Sequence, residues 1–170
     1  YGILRNSRQF IERFEVFTAA NYIEYLGHGD WFWLPASFYG LDMYSKAVDV
    51  AHAKDWAYDK PSVFLTSACL MGRTDGLPPQ MNIGLAMLHA GCNAFVGATR
   101  ETGQESGLTV LENHLIVDDC SVGEALRGEK RVDVEPPTFF VRVLYGDPAF
   151  NPYEPLHGFS SQGRPVLRAL

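Results

Sequence analysis

Short apolar runs alternate along the chain with stretches that place apolar residues at helical spacing. Residues 22–26 are apolar and aromatic and stop at Gly27, which predicts a strand that enters a tight turn. Residues 62–68 form a second short run, rich in β-branched and apolar side chains, and the proline and glycine around it are typical of the borders of a buried parallel strand. Residues 93–97 repeat this pattern, so the sequence predicts three strands in this part of the chain.

Helical patterns lie between and after these runs. Residues 83–88 follow two prolines, which are tolerated in a first helical turn, and Gly91 stands where such a helix would end. Residues 108–117 carry leucines and an isoleucine at helical spacing. Ser121 and Glu124 have the spacing of a capping box, which predicts that another short helix starts there.

Two further segments complete the pattern. Residues 48–58 mix polar and apolar positions and favour a helix, whereas residues 139–145 fit either a helix or a fourth strand. Strands that alternate with helices predict an α/β fold with a parallel sheet and right-handed crossovers. Because three or four strands are few for such a sheet, we expect further strands upstream of Tyr1. Residues 154–170 lose this periodicity and are typical of a tail or linker.

Composition supports one globular domain. The chain has 170 residues, of which 46% are hydrophobic and 20% charged, and these values exclude a disordered or collagen-like chain. Acidic side chains number 20 against 14 basic ones, and the net charge of −6 argues against nucleic acid as the main partner. No apolar run is long enough to predict a membrane span. Because the first residue is Tyr1 rather than Met, we expect the chain to be a piece of a longer protein.

Reactive side chains follow two of the predicted strands. His28 comes after the first, between Gly27 and Gly29, and Cys69 comes directly after the second. Ligands of open parallel sheets bind at the carboxyl ends of the strands, so two neighbouring strands would bring the imidazole and the thiol together. A thiol needs a base to become a nucleophile, and the backbone N–H groups of Gly29 and Cys69 would then form an oxyanion hole. The alternative is structural, because such a cysteine is commonly a small buried hydrophobe and such a histidine a turn residue.

The other two cysteines have no partner motif. The chain has three cysteines, an odd number, so at least one thiol is free or bonded to another chain. No CxxC or CxxH spacing indicates structural zinc. We expect Cys92, between a predicted helix and a strand, to lie in the core, and Cys120, before a predicted helix, to be partly exposed.

Four segments in chain order resemble those of a known family. They read Tyr-Leu-Gly-His-Gly at 25–29, Val-Phe-Leu-Thr-Ser-Ala-Cys at 63–69, Ala-Phe-Val-Gly-Ala-Thr-Arg at 94–100, and Gly-Asp-Pro at 146–148 with Pro-Tyr at 152–153. Caspase-like cysteine peptidases end consecutive strands with a His-Gly and an Ala-Cys. Within that clan the chain most closely resembles the gingipain family (peptidase family C25). The resemblance extends over residues 22–153.

This resemblance implies a role for each matching position. His28 would be the general base, Cys69 the nucleophile, and the N–H groups of Gly29 and Cys69 the oxyanion donors. Trp31 and Trp33 would wall the cleft, although ordinary core or interface aromatics explain them equally well. The loop after the third strand would line the pocket for the residue before the scissile bond, with Arg100, Glu101, Thr102, Gly103 and Gln104. Arg100 would either favour an acidic substrate residue or pair with Glu101.

The resemblance also implies an architecture. It indicates a caspase-like three-layer αβα sandwich with a mostly parallel sheet, of which this chain supplies the later strands and helices. Residues 1–153 would be the C-terminal part of the peptidase domain and residues 154–170 a tail. An upstream segment or companion chain would complete the sheet and supply the acidic partner of His28; without it, we expect the strand before His28 to be a bare edge.

Function, cofactors and location follow as expectations from the same resemblance. The chain would be a cysteine endopeptidase that cleaves a peptide or protein substrate through a thioester, outside the cell or on its surface. The alternatives are a catalytically silent interaction or assembly module of a larger surface protein, and a transferase or ligase with the same nucleophile. Catalysis would need no cofactor. Asp118 and Asp119 would either hold a structural calcium ion, as in secreted relatives, or complement a helix N-terminus.

Overall fold

The fold is built around one open sheet with helices on both faces. The computed structural model describes residues 2–4, 18–25, 27–35, 46–102, 109–131 and 141–152. In these ranges the sheet has five strands in the spatial order β1-β2-β5-β6-β7, and a separate two-stranded ribbon pairs β3 with β4. The strands are β1 Gly2–Leu4, β2 Tyr22–Tyr25, β3 Trp33–Pro35, β4 Lys46–Asp49, β5 Val63–Thr66, β6 Ala94–Ala98 and β7 Arg142–Gly146.

Strand order places β2 and β5 side by side. Strands β1, β2, β5 and β6 run parallel, and β7 pairs with β6 in the antiparallel sense. In the β2–β5 ladder the last pair is Tyr25 with Thr66, so both strands end at the same level. The segments that carry His28 and Cys69 therefore leave the sheet at one edge, as the two predicted strands required.

Among the residues that the structure describes, four helices cover the sheet: α1 Val50–Lys54, α2 Ile83–His89, α3 Thr109–Ile116 and α4 Val122–Glu129. Helix α2 begins at Asn82, whose side-chain oxygen accepts the Leu85 N–H at 2.8 Å, and Gly91, with φ of +108°, follows its end. Ser121 and Glu124 form the predicted capping box of α4. A single 3₁₀ turn, Pro79–Met81, precedes α2. The helices predicted around residues 83, 108 and 121 are thus confirmed.

Side chains of the strands alternate between two apolar layers. One face packs against α1 and α2 through Ile23, Tyr25, Phe64 and Phe95. The other face packs against α3 and α4 through Tyr22, Val63, Leu65 and Val96. Burial of each large apolar side chain contributes about 1.5–3 kcal/mol, so these layers hold the sheet in place. The arrangement is the caspase-like three-layer αβα sandwich that the resemblance implied.

The structure corrects two expectations about the strands and decides between the alternatives for a third segment. The strand before His28 is not a bare edge, because β1 of this same chain pairs with β2 along residues 2–4. Residues 48–58 are not one helix, because Lys46–Asp49 forms β4 and only Val50–Lys54 is helical. The segment whose sequence fits either a helix or a strand forms β7, which runs antiparallel to β6 in an otherwise parallel sheet. The expectation of strands upstream of Tyr1 stays a prediction.

One carboxyl group lies inside the second apolar layer. Glu24 on β2 is only 4% exposed and is hydrogen-bonded to Glu112 of α3, which also accepts the Tyr22 hydroxyl at 3.0 Å. Burial, with the nearby Glu112 charge, raises the pKa of Glu24 from 4.5 to about 7. This carboxyl group therefore gains a proton in the folded protein more readily than in the unfolded chain.

Within the described ranges, no helix combines the length and the apolar character that crossing a membrane requires.

Candidate active site

Two chain segments meet at the carboxyl edge of the sheet, just beyond β2 and β5. Gly29 lies so close to the β5 segment that a Cβ atom built on it would be 2.8 Å from Ala68 Cβ and 2.9 Å from Met71 Cγ. Any side chain at this position would collide with these atoms, and glycine allows the close approach. His28 and Cys69 are the sequence neighbours of Gly29 and Ala68, so the backbone segments that carry them lie side by side at this edge.

His28 lies on a turn whose backbone is hydrogen-bonded to a residue of β2. Its side chain is exposed, and its backbone carbonyl accepts the hydroxyl of the buried Tyr25 at 2.8 Å. The next acidic residue, Asp30, accepts the backbone N–H of Trp31 with its own Oδ1 at 2.7 Å. This leaves the His28 ring at the surface on a backbone that the sheet holds in place.

The cysteine sulfur lies against the loop after β6. Cys69 is half-buried, and its Sγ accepts the backbone N–H of Thr102 at 3.3 Å. The carbonyl oxygen and the Oγ1 atom of Thr102 are each 3.6 Å from the same sulfur. The Thr102 hydroxyl in turn donates to the carbonyl of Ser67. Thr102, expected only as a pocket residue, thus contacts the predicted nucleophile itself.

The turn after Cys69 is held against β6. Leu70 adopts φ of +61°, a left-handed conformation that costs an ordinary residue about 1–2 kcal/mol. Its N–H donates to the Arg100 carbonyl at 3.2 Å, and the Gly72 N–H donates to the Ala98 carbonyl at 2.8 Å. A Cβ on Gly72 would be 2.4 Å from the Gly97 oxygen, so this approach also requires glycine. These contacts stabilise the strained turn that presents the thiol.

A fully buried ion pair lies behind this turn. Arg142 of β7 and Glu129 of α4 are both 0% exposed, and one guanidinium nitrogen of Arg142 donates to the Glu129 carboxylate. The other terminal nitrogen of Arg142 donates to Ser67 Oγ at 2.7 Å. Burial raises the pKa of Glu129 to about 7 against the opposing attraction of Arg142, and burial also lowers the pKa of Arg142. Sequence reasoning missed this pair, although a lone arginine in an apolar run was a usable signal.

Comparison with known proteins now identifies the family. The model of Peptidase family C25 matches residues 5–153. The chain belongs to peptidase family C25. This is a family of cysteine peptidases, and the gingipain-like resemblance of the sequence is thereby confirmed.

A solved structure described as "Structure of Protease" has the same fold. It superposes with a TM-score of 0.58 at 11% identity, over 80% of this chain and 36% of that chain. At this identity the likeness establishes the fold alone. The chain therefore spans about a third of the length of that protease. No curated protein matches the sequence.

The two tryptophans of this C25 chain sit on the segment that follows the histidine. Trp31 and Trp33 are half-buried, and the ring of Trp31 is tilted against Phe32 with the centroids 4.4 Å apart. The Trp31 carbonyl accepts the Ile83 N–H at 2.9 Å, and the Phe32 carbonyl accepts the Val50 N–H at 3.1 Å. These bonds tie the segment to the starts of α1 and α2. A role for the tryptophans in walling the cleft stays a prediction.

The pocket loop of the C25 chain is described only in part. Arg100 and Glu101 are exposed, whereas Gly103 and Gln104 lie outside the described residues. Arg100 Nη1 is 3.5 Å from Asp75 Oδ1, an oxygen that Arg73 also approaches at 3.4 Å. The acidic partner of Arg100 is therefore Asp75, whereas the sequence had suggested Glu101, and a preference for an acidic substrate residue stays a prediction.

The two remaining thiols behave as expected from the sequence. Cys92 is buried, donates to the Ala94 carbonyl at 3.1 Å, and has its pKa raised to about 11 by burial. Cys120 is half-buried, and its pKa is raised by burial and by nearby carboxylates, Glu124 first. All three cysteines are free thiols. Cys92 is thus a core thiol, and Cys69 remains the cysteine at the sheet edge.

The proposed calcium ligands have protein partners. Asp118 Oδ2 is 2.7 Å from His114 Nδ1, and Asp119 Oδ1 accepts the Asn151 amide at 2.9 Å. In the part of the chain that the structure describes, no three His, Cys, Asp or Glu side chains are grouped as a metal site. Calcium binding stays a prediction.

Proposed function

We propose that this chain supplies the nucleophile and the general base of a cysteine endopeptidase, Cys69 and His28. The observation that carries the proposal is the contact between Gly29 and Ala68 at the carboxyl edge of the sheet. Membership of peptidase family C25 supports a peptide or protein as the substrate. An extracellular or surface location and a companion segment that completes the sheet belong to the same proposal.

The chemistry would proceed through an acyl-enzyme. His28 takes the thiol proton while Cys69 Sγ attacks the scissile carbonyl carbon, and the resulting oxyanion accepts the N–H groups of Gly29 and Cys69. Collapse of this intermediate breaks the C–N bond, and the imidazolium gives its proton to the leaving amine. A thioester remains on Cys69. Water, deprotonated by His28, then attacks it and releases the carboxylate product and the thiol.

The surroundings of the sulfur support this role. A thiolate is the reactive form of cysteine, and it accepts stronger hydrogen bonds than a neutral thiol does. The Thr102 N–H already points at the sulfur at 3.3 Å. The His28 residue is exposed at the surface, where a peptide substrate would arrive. The buried Cys92, whose pKa burial raises to about 11, would by contrast be inert.

The test is a comparison of single cysteine variants in the full protein that contains this chain. Cys69→Ala should abolish cleavage of a mixed peptide library, because no other group can form the thioester. Cys120→Ala is the matched control and should retain the parental rate, since this thiol lies beside α4, away from the β2–β5 edge. Cleavage by Cys69→Ala at the parental rate would contradict the proposal. A parent that never cleaves, with Cys69 labelled slowly by iodoacetamide at all pH values, would indicate the silent interaction module.

A further inference from the structure

The nucleophile turn is the segment from Ser67 to Gly72, which carries Cys69. Burying the ion pair behind this turn costs free energy. Arg142 and Glu129 are both 0% exposed, and taking two charges out of water requires a large desolvation free energy. Buried pairs of this kind can often be replaced by apolar side chains without loss of stability. Stability alone therefore does not explain the pair.

The pair is connected to the sulfur by a continuous series of contacts. Arg142 Nη2 donates to Ser67 Oγ at 2.7 Å. The Ser67 carbonyl accepts the hydroxyl of Thr102, and the Thr102 N–H donates to Cys69 Sγ at 3.3 Å. Three hydrogen bonds thus lead from a buried guanidinium to the predicted nucleophile.

The position of Arg142 in the sheet explains how it reaches this place. It pairs with Ala98, the last residue of β6, and the neighbouring Val141 carbonyl accepts the Thr99 N–H at 2.9 Å. Strand β7 therefore places Arg142 beside the last residue of β6, and its side chain reaches Ser67, the residue that follows β5. A planar guanidinium carries five N–H donors, so it can bind the carboxylate of Glu129 and the Ser67 hydroxyl together.

We propose that Arg142, held by Glu129, is a positioning residue for Cys69: it fixes Ser67 and, through it, the Thr102 N–H that points at the sulfur. The inference rests on the proposed function of Cys69 as the nucleophile. It assigns no contact with the substrate to Arg142. Arg142 acts by orienting the thiol and its hydrogen-bond donor before the substrate arrives.

Ser67→Ala is the sharpest test, because it removes one link and leaves the ion pair in place. We expect kcat to fall by about 10–100-fold with little change in KM, as when a reacting group is displaced by a fraction of an ångström to about 1 Å. The rate of Cys69 alkylation by iodoacetamide should also fall, and its pH profile should move. Ser67→Thr keeps a hydroxyl and should restore most of both rates.

Ser62→Ala is the matched control. Ser62 lies just before β5, is 0% exposed, and is not part of the hydrogen-bond series from Arg142 to Cys69. Ser62→Ala removes an Oγ atom, as Ser67→Ala does, but at the opposite end of β5. It should therefore leave kcat and the alkylation profile of Cys69 unchanged. Urea unfolding of each variant shows how much of any loss is due to unfolded protein.

The outcomes separate the two proposals. Ser67→Ala with the parental kcat and the parental rate of Cys69 alkylation would overturn the positioning role. So would a decrease in these rates that matches the unfolded fraction of the variant, or an equal decrease in Ser62→Ala. A parent protein that fails to cleave peptides would overturn the proposed function instead. Alkylation of Cys69 remains measurable in that case, so a slower, pH-shifted reaction in Ser67→Ala would still support the positioning role.

Discussion

Gly29→Ala tests the contact on which the site depends. The added Cβ would lie 2.8 Å from Ala68 Cβ, whereas ordinary carbon contacts begin at about 3.4 Å. The difference, 3.4 minus 2.8, requires the two segments to separate by about 0.6 Å. Gly29 is not among the residues with positive φ, so alanine adds no backbone strain and the whole effect is steric.

We expect this displacement to reduce catalysis more than stability. A shift approaching 1 Å at a reacting group can cost about 100-fold in rate, so kcat/KM should fall by about 10–100-fold. Overpacking typically costs about 1–3 kcal/mol of unfolding free energy. Alanine keeps the backbone N–H, so loss of the oxyanion donor itself does not contribute. Peptide cleavage and urea unfolding, measured on the same samples, separate the two effects.

Two further variants check the reasoning. Gly76→Ala meets no atom within 4 Å but has φ of +72°, so it should cost about 1 kcal/mol of stability and leave kcat/KM unchanged. In the double variant Gly29→Ala/Ala68→Gly the colliding Cβ is gone, and the remaining neighbour is the flexible Met71 side chain. Activity should then recover in part. Full activity in Gly29→Ala alone, or no recovery in the double variant, would refute the contact as the determinant of the site.

Two other predictions concern the titratable groups. Because the pKa of Glu24 is raised from 4.5 to about 7, the folded protein holds a proton that the unfolded chain releases, and the free energy of unfolding should decrease as pH rises between these values. In urea titrations Glu24→Gln should make this decrease shallower, by up to about 1.4 kcal/mol per pH unit, and an unchanged slope would contradict the burial argument. Iodoacetamide at about pH 8 should label Cys69 in the native protein and spare Cys92, whose pKa is raised to about 11 by burial. Mass spectrometry of the labelled peptides checks this, and labelling of Cys92 first would contradict it.

Local signals explain why most of the elements could be predicted. The β2, β5 and β6 strands are short apolar runs between breaking residues, and the α4 capping box needs only Ser121 and Glu124. The β1 strand was missed because three residues carry no periodicity, and its partner β2 lies about 20 residues away. The β4 strand was assigned to a helix because it runs directly into α1 at Asp49. These strands form because they pair with strands distant in the sequence, and their own residues carry little local preference for a strand.

The same limit applies to the site. Motifs identify His28 and Cys69, because each follows a strand with a recognisable pattern. They do not identify Arg142: its place in an apolar run hints at burial, but charged side chains are normally solvated, and its partners Glu129 and Ser67 become evident only in the folded sheet. Thr102 was included only as one of five pocket residues, and its contact with the sulfur depends on the path of the loop after β6.

The site therefore forms only when the whole sheet has formed. The strand β5 lies between β2 and β6, so its nucleophile turn is contacted from both sides: Gly29 packs on Ala68, and Gly72 approaches the Gly97 carbonyl. The third support, Arg142 to Ser67, joins residues 75 positions apart. Because each contact closes a long loop, no short segment positions the thiol alone. A motif can thus point to Cys69, but the orientation of its thiol depends on four strands packed together, β2, β5, β6 and β7.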